Sequence, residues 1–189
     1  MDTVDVIETK NNKLKSVLPY LGIPVIGAVP LILQAGRTDM FITLRYETLV
    51  IFGYIAAVVD IRLKKIPNSL IIAKAAVWIL IMVPKIFLDT DAAIVSLVDS
   101  AIGFAIGGGL FLLVYLISRK GLGGGDVKFM AAAGLYLGFS GVLSAMLYGT
   151  VLAALSGLTL ILLKKIGRKD TIPLAPFLYA GILITLVFI

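Results

Sequence analysis

The chain has 189 residues, 60% of them hydrophobic, and a mean hydropathy of +1.07. A soluble domain of this length cannot hide so much apolar surface, so the long apolar runs read as membrane helices, each needing about 20 apolar residues to cross the hydrocarbon core. With no Cys and no His, the chain cannot form disulfides, a thiol nucleophile, a Cys-type zinc site, a His-ligated haem or a Ser-His-Asp triad.

In chain order, residues 1–15 are polar and mixed in charge. They lack the apolar core and small-residue cleavage site of a signal peptide, so the tail is expected to stay. Apolar segments follow near 16–35, 42–62, 69–88, 92–117, 126–138, 140–164 and 173–189. The fifth is short and reads as a tilted or partial span, broken at Gly138-Phe139-Ser140-Gly141. No alternating pattern of about 10 residues suggests a β-barrel, and no internal repeat is visible. The expected fold is all-α: a polytopic membrane protein of about seven helices. Residues 1–41 would supply a cytoplasmic tail and one extra membrane helix, and residues 42–189 a six-helix core.

The net charge of +6 has a simpler source than nucleic-acid binding, and no nucleic-acid partner is expected. Lys10, Lys13 and Lys15, then Arg62, Lys64 and Lys65, then Arg119 and Lys120, then Lys164, Lys165, Arg168 and Lys169 fall in alternate loops. The intervening loops hold Arg37 with Asp39, Lys85 with Asp89 and Asp91, and Phe139-Ser140. This positive-inside pattern puts the N-terminus in the cytoplasm and the C-terminus outside.

Two acids stand out against that topology. Asp60 ends one apolar run and Asp126 opens another, both at the cytoplasmic boundary. An ionisable group at the edge of the hydrocarbon needs a reason. Each has a structural one: Asp60 could pair with Arg62 or Lys64, and Asp126 could be the N-cap of the fifth helix. The chemical reading joins them. Neighbouring carboxylates do not both ionise easily, so one would hold a proton while the other activates water, the combination an aspartyl protease uses without His, Cys or metal. The run Gly121-Leu122-Gly123-Gly124-Gly125 before Asp126 would let backbone approach backbone or a substrate peptide closely and would allow positive φ.

Three motifs carry a resemblance. Asp60 is followed by Ile61-Arg62-Leu63-Lys64-Lys65-Ile66-Pro67-Asn68; Gly123-Gly124-Gly125-Asp126-Val127-Lys128 follows; Ile172-Pro173-Leu174-Ala175-Pro176-Phe177 comes near the end. In this order and spacing, over roughly residues 45–189, the chain resembles the type IV prepilin peptidase family of GxGD membrane aspartyl proteases. The resemblance implies that Asp60 and Asp126 are the catalytic dyad and Gly123 and Gly125 the motif glycines. It implies prepilins or pseudopilins as substrates, their leaders cut just after a glycine at the cytoplasmic face of the inner (plasma) membrane. No cofactor or metal is implied. Larger members carry a cysteine-bearing zinc region and also N-methylate the new terminus. Only 36–41 separates the first two apolar runs here, so the chain looks more like peptidase-only members, such as those serving Flp-type pili or archaeal flagellins, and methylation is not expected.

Other residues have weaker readings. Lys128 could meet a substrate carboxylate or ease the dyad's repulsion, although snorkelling to the interface is the simpler account. Pro67, Asn68 and Ser69 are expected to end the loop, with Asn68 or Ser69 capping the third helix; their other reading is substrate positioning. Lys74, about one and a half turns into its span, would snorkel or face the site. Pro173 and Pro176 would loosen or mark the start of the last span. Asp99 and Glu47 read as packing or water-contacting polar groups, not catalytic ones. Gly103 with Gly107, and Gly134 with Gly138, would allow close helix packing. Two other classes stay open: a non-enzymatic transporter or channel, which would want midplane acids and inverted repeats, and a Ser–Lys protease using Ser69 or Ser118 with a nearby lysine.

Overall fold

In the computed structural model of the chain, the described residues are 39–118, 121–165, 167 and 171–188. They form five helices and no strand: α1 (Met40–Leu63), α2 (Asn68–Leu88), α3 (Thr90–Ile117), α4 (Gly124–Leu162) and α5 (Ala175–Phe188). The first four are long and apolar enough to cross a membrane, and α5 is a shorter apolar helix. Large apolar side chains face outward, among them Leu80, Phe87 and Leu116 at 70%, 83% and 67% exposure. That surface suits lipid rather than water. The protein is an all-α, multi-pass membrane protein. The expected segment 16–35 and the tail before it lie outside the described residues, so a count of seven is not reached among them.

Each boundary has a local cause. Asp39 caps α1, its Oδ1 accepting from the N–H of Phe41 at 2.8 Å and of Ile42 at 3.4 Å. Lys64 ends α1 in the left-handed conformation at φ 48°, its N–H returning to the Asp60 carbonyl at 2.8 Å. Pro67, extended at φ −70° and ψ 141°, then launches α2 with no side-chain cap. The expected capping by Asn68 or Ser69 is therefore corrected: Asn68 is already the first helical residue. The last helix likewise starts at Ala175 rather than at residue 173, with Pro176 in its first turn, where a missing N–H costs no helical bond.

The 39 residues of α4 are two helices joined at Gly138, whose φ 69° and ψ −168° leave the helix. An added Cβ on Gly107 of α3 would meet both Met130 O at 2.6 Å and Val142 Cγ2 at 2.9 Å. One point on α3 thus touches both sides of the break, so α4 is a hairpin. The expected fifth and sixth segments are its halves, 124–137 and 139–162. Its turn is held from two sides. Asp99 Oδ1 accepts from the Phe139 N–H at 3.0 Å, capping the second half. Arg45 Nη2 donates to Leu135 O at 3.1 Å and Tyr136 O at 2.8 Å, carbonyls that the break strips of helical partners.

Close packing follows the small residues. A Cβ on Gly103 would fall on the Gly134 carbonyl oxygen, and one on Gly134 on the Gly103 carbonyl. Both expected glycine pairs do bring helices together, as small residues allow in membranes. The second half of α4 runs antiparallel to α5: Gly181 lies against Ala145 and Gly149, Gly149 against Leu178, and Gly157 against Ile172. This topology gathers the segments 64–67, 121–123 and 171–174 at one end of the bundle.

Candidate active site

That end carries both aspartates. Asp60 occupies the last turn of α1 and is 5% exposed; Asp126 is the third residue of α4 and is 8% exposed. Asp126 is not the N-cap of its helix. Gly123 holds that position, and the Asp126 N–H donates to Gly123 O at 3.0 Å. Its Oδ1 is buried with no hydrogen-bond partner among the described residues. Asp60 Oδ2 accepts from the Ala175 backbone N–H at 3.0 Å. The Asp60 carboxylate is thus engaged by α5. The Lys64 ammonium turns to the carbonyl of Thr171 at 3.1 Å, tying the 171–174 segment to the end of α1.

Two cavities meet at the aspartates. The first, about 400 Å³, is lined by Asp60, Lys64, Gly121, Leu122, Gly123, Asp126 and residues 171–174. The second, about 380 Å³, is lined by Asp60, Asp126, residues 64–66, Asn68, residues 123–125 and Lys128. Asp60, Lys64, Gly123 and Asp126 belong to both. The pair therefore borders two adjoining cavities. The helices α4 and α5 both begin here, so the positive ends of two helix dipoles lie beside the carboxylates.

The glycines act by size. Among Gly121, Gly123, Gly124 and Gly125 none has positive φ, which corrects the expectation of left-handed backbone. An added Cβ on Gly123 would stand 2.7 Å from Asp126 Oδ2, and one on Gly125 would stand 3.2 Å from the Ile66 Cβ. Small residues let the Asp126 carboxylate fold back over its own helix start and let that start lie on the 64–67 loop.

The remaining expected residues divide. Lys128 does not simply snorkel: its Nζ donates to Asn68 Oδ1 at 3.0 Å, and both line the second cavity. Pro173 lines the first cavity, while Pro67 and Pro176 line neither. Lys74 neither snorkels nor faces the site. It is 2% exposed, with its Nζ 4.6 Å from the Phe129 ring centroid and without a hydrogen-bond partner among the described residues. No serine lines either cavity, and Ser118 Oγ bonds the Tyr115 carbonyl at 3.3 Å. Sequence reasoning missed the Ala175 N–H, Thr171 and Arg45. The first is backbone and carries no side-chain signal. Arg45, however, is a cation within an apolar run, and the rule that flagged the two aspartates applies to it equally.

A family model described as the type IV leader peptidase family matches residues 48–158. The chain belongs to this family. Curated relatives carry the name prepilin leader peptidase/N-methyltransferase. One from Bacillus subtilis is 30% identical over 67% of this chain and 48% of its own length. One from Aeromonas hydrophila is 34% identical over 44% and 31%. One from Xanthomonas campestris is 26% identical over 64% and 41%. The matches to these three family members thus span less than half of each relative's length. No solved structure matches. The matched range includes Asp60, Asp126 and both motif glycines but ends before the 171–174 segment that completes the first cavity.

Proposed function

We propose that the chain is an aspartic-type endopeptidase that removes the leader from prepilins or pilin-like proteins at the cytoplasmic face of the plasma membrane. The observation that carries this reading is that Asp60 and Asp126 border the same two cavities at the bundle end where Lys64, Lys65 and Lys128 gather. The family and the names of its members supply the substrate class. The peptidase body would be residues 42–189, and the preceding residues 1–41 would add a tail and a further helix.

In the proposed reaction one aspartate, as carboxylate, takes a proton from water while the oxygen attacks the scissile carbonyl carbon. The other, protonated, donates a hydrogen bond to the carbonyl oxygen. Collapse of the tetrahedral intermediate breaks the C–N bond, and the nitrogen leaves as an amine after taking a proton from the pair. The acid and base steps belong to the pair as a unit. Gly123 and Gly125 keep the carboxylate close to the loop, Lys128 and Asn68 form one wall for the substrate, and Pro173 forms part of the other.

Co-expression with candidate prepilins from the same genome tests the proposal by loss of the leader. Asp60→Asn and Asp126→Asn should each abolish cleavage while the protein still accumulates in the membrane. Retained cleavage in either variant refutes the dyad. Reporter fusions after residues 90 and 167 should report opposite sides of the membrane, with residue 167 in the cytoplasm.

A further inference from the structure

Arg45 is a buried cation far from the site. It is 8% exposed and lies on α1, 15 positions before Asp60, or about 22 Å along a helix. Placing an arginine there is expensive unless its donors are used. The described partners use one nitrogen three times: Nη2 reaches Ser100 Oγ at 3.2 Å, Leu135 O at 3.1 Å and Tyr136 O at 2.8 Å. The two carbonyls close the first half of α4, just before the break at Gly138. They are the negative end of a helix dipole, left without helical partners by the break, where a guanidinium is well placed.

What this bond joins is specific. Asp60 stands at the inner end of α1, and Asp126 at the inner end of the first half of α4. Arg45 and Tyr136 stand at the outer ends of the same two helices and are bonded directly. Tyr136 also donates its hydroxyl to the Lys74 carbonyl of α2 at 2.6 Å, so α4 is fixed by polar contacts from two neighbours through one residue. A helix between such a bond and an active-site residue behaves as a stiff rod, so slippage at Tyr136 becomes displacement at Asp126.

We infer that Arg45 is a positioning residue for the aspartate pair, a clamp at the outer end of the two helices whose inner ends carry the carboxylates. The inference rests on the dyad reading above. A displacement of about 1 Å between reacting groups lowers a rate about 100-fold, so the clamp acts on kcat and leaves substrate affinity nearly unchanged.

The test joins kinetics to a distance. Arg45→Gln and Arg45→Lys are compared with the wild type on a co-expressed and then purified prepilin from the same genome. The chain has no Cys, so a pair introduced by Leu63→Cys and Gly124→Cys carries the only spin labels. Leu63 is 70% exposed and a Cβ at Gly124 meets nothing within 4 Å. The expected result for Arg45→Gln is normal accumulation, little change in KM, a kcat lower by about 100-fold and a shifted or broadened distance between the labels. Arg45→Lys, which keeps a donor, recovers part of both. Unchanged kcat overturns the inference. So does lost activity at an unchanged distance, or failure of both variants to accumulate, which would make Arg45 a folding residue. If the wild type leaves every prepilin uncut, the dyad reading fails by itself, and the label distance still judges the clamp.

Discussion

Asp60 Oδ2 accepts a 3.0 Å hydrogen bond from the backbone N–H of Ala175, 115 positions later in the chain. Ala175 is the first residue of α5, so its N–H has no partner inside its own helix. Pro173 and Pro176 on either side have no N–H at all. The segment Ile172-Pro173-Leu174-Ala175-Pro176 thus starts a helix against the site and presents a donor to the carboxylate.

Removing that donor should lower activity. Ala175→Pro deletes the N–H at a helix position where proline fits. A hydrogen bond to a charged group is worth about 1.5–3 kcal/mol, so kcat should fall about 10- to 100-fold. Ala175→Val keeps the N–H and adds the same number of carbons, so it serves as the control for overpacking at this fully buried position. Leader cleavage by purified protein distinguishes them; equal rates in the two variants would show that the bond is incidental.

The motif glycines should differ from the glycine between them. A Cβ at Gly123 would press on Asp126 Oδ2 at 2.7 Å, whereas one at Gly124 meets nothing within 4 Å. The pressed atom is the end of a short side chain that can swing aside, so Gly123→Ala should fold and accumulate. Its carboxylate would be displaced, and cleavage should fall about 100-fold on the same geometric argument. Gly124→Ala should cleave at nearly the wild-type rate. Similar activity in both variants would refute the size argument.

The described helices were legible because lipid imposes long apolar runs, and their ends lie within a few residues of the expected ones. The break at Gly138 was legible because glycine followed by Phe139-Ser140-Gly141 interrupts such a run. What could not be read was polar detail inside the bundle. A hydrogen bond from Ala175 to Asp60 spans 115 positions and involves a backbone atom common to almost every residue. The glycines before Asp126 were read for close approach and for positive φ; only the close approach holds, and its partners, Ile66 and the carboxylate, are visible only once the fold is in place. Lys74 was misread because snorkelling is the common fate of lysine near an interface. The rings of Phe129 and Tyr136, 4.6 and 5.5 Å from its Nζ, come from another helix.

Lys74 leads to a stability prediction. Its ammonium is buried without a hydrogen-bond partner among the described residues. Contacts with two rings offset only part of the burial cost; a cation–π contact is worth about 0.5–2 kcal/mol. Lys74→Met keeps the length and fills the same space between Phe129 and Tyr136. The thermal unfolding midpoint in detergent should stay level or rise, and cleavage should persist because Lys74 lines neither cavity. A marked fall in the midpoint would mean that the ammonium has a strong partner elsewhere in the chain.

Gly138 and Asp99 should be energetically coupled, with a definite sign. Gly138 sits at φ 69°, and an added Cβ would collide with the Asp99 carboxylate. Gly138→Ala therefore incurs two costs: a positive-φ, extended-ψ backbone (ψ −168°) that is essentially reserved for glycine, about 1–3 kcal/mol, and displacement of the Asp99 side chain from the Phe139 N–H it caps. Asp99→Ala loses that cap, about 1 kcal/mol, but also clears the space. In the double variant the cap can be lost only once and the collision is gone. Its destabilisation, measured by denaturant or thermal unfolding of the purified protein, should therefore be smaller than the sum of the two single effects. Strict additivity would mean that Asp99 moves freely out of the way and does not hold the hairpin turn.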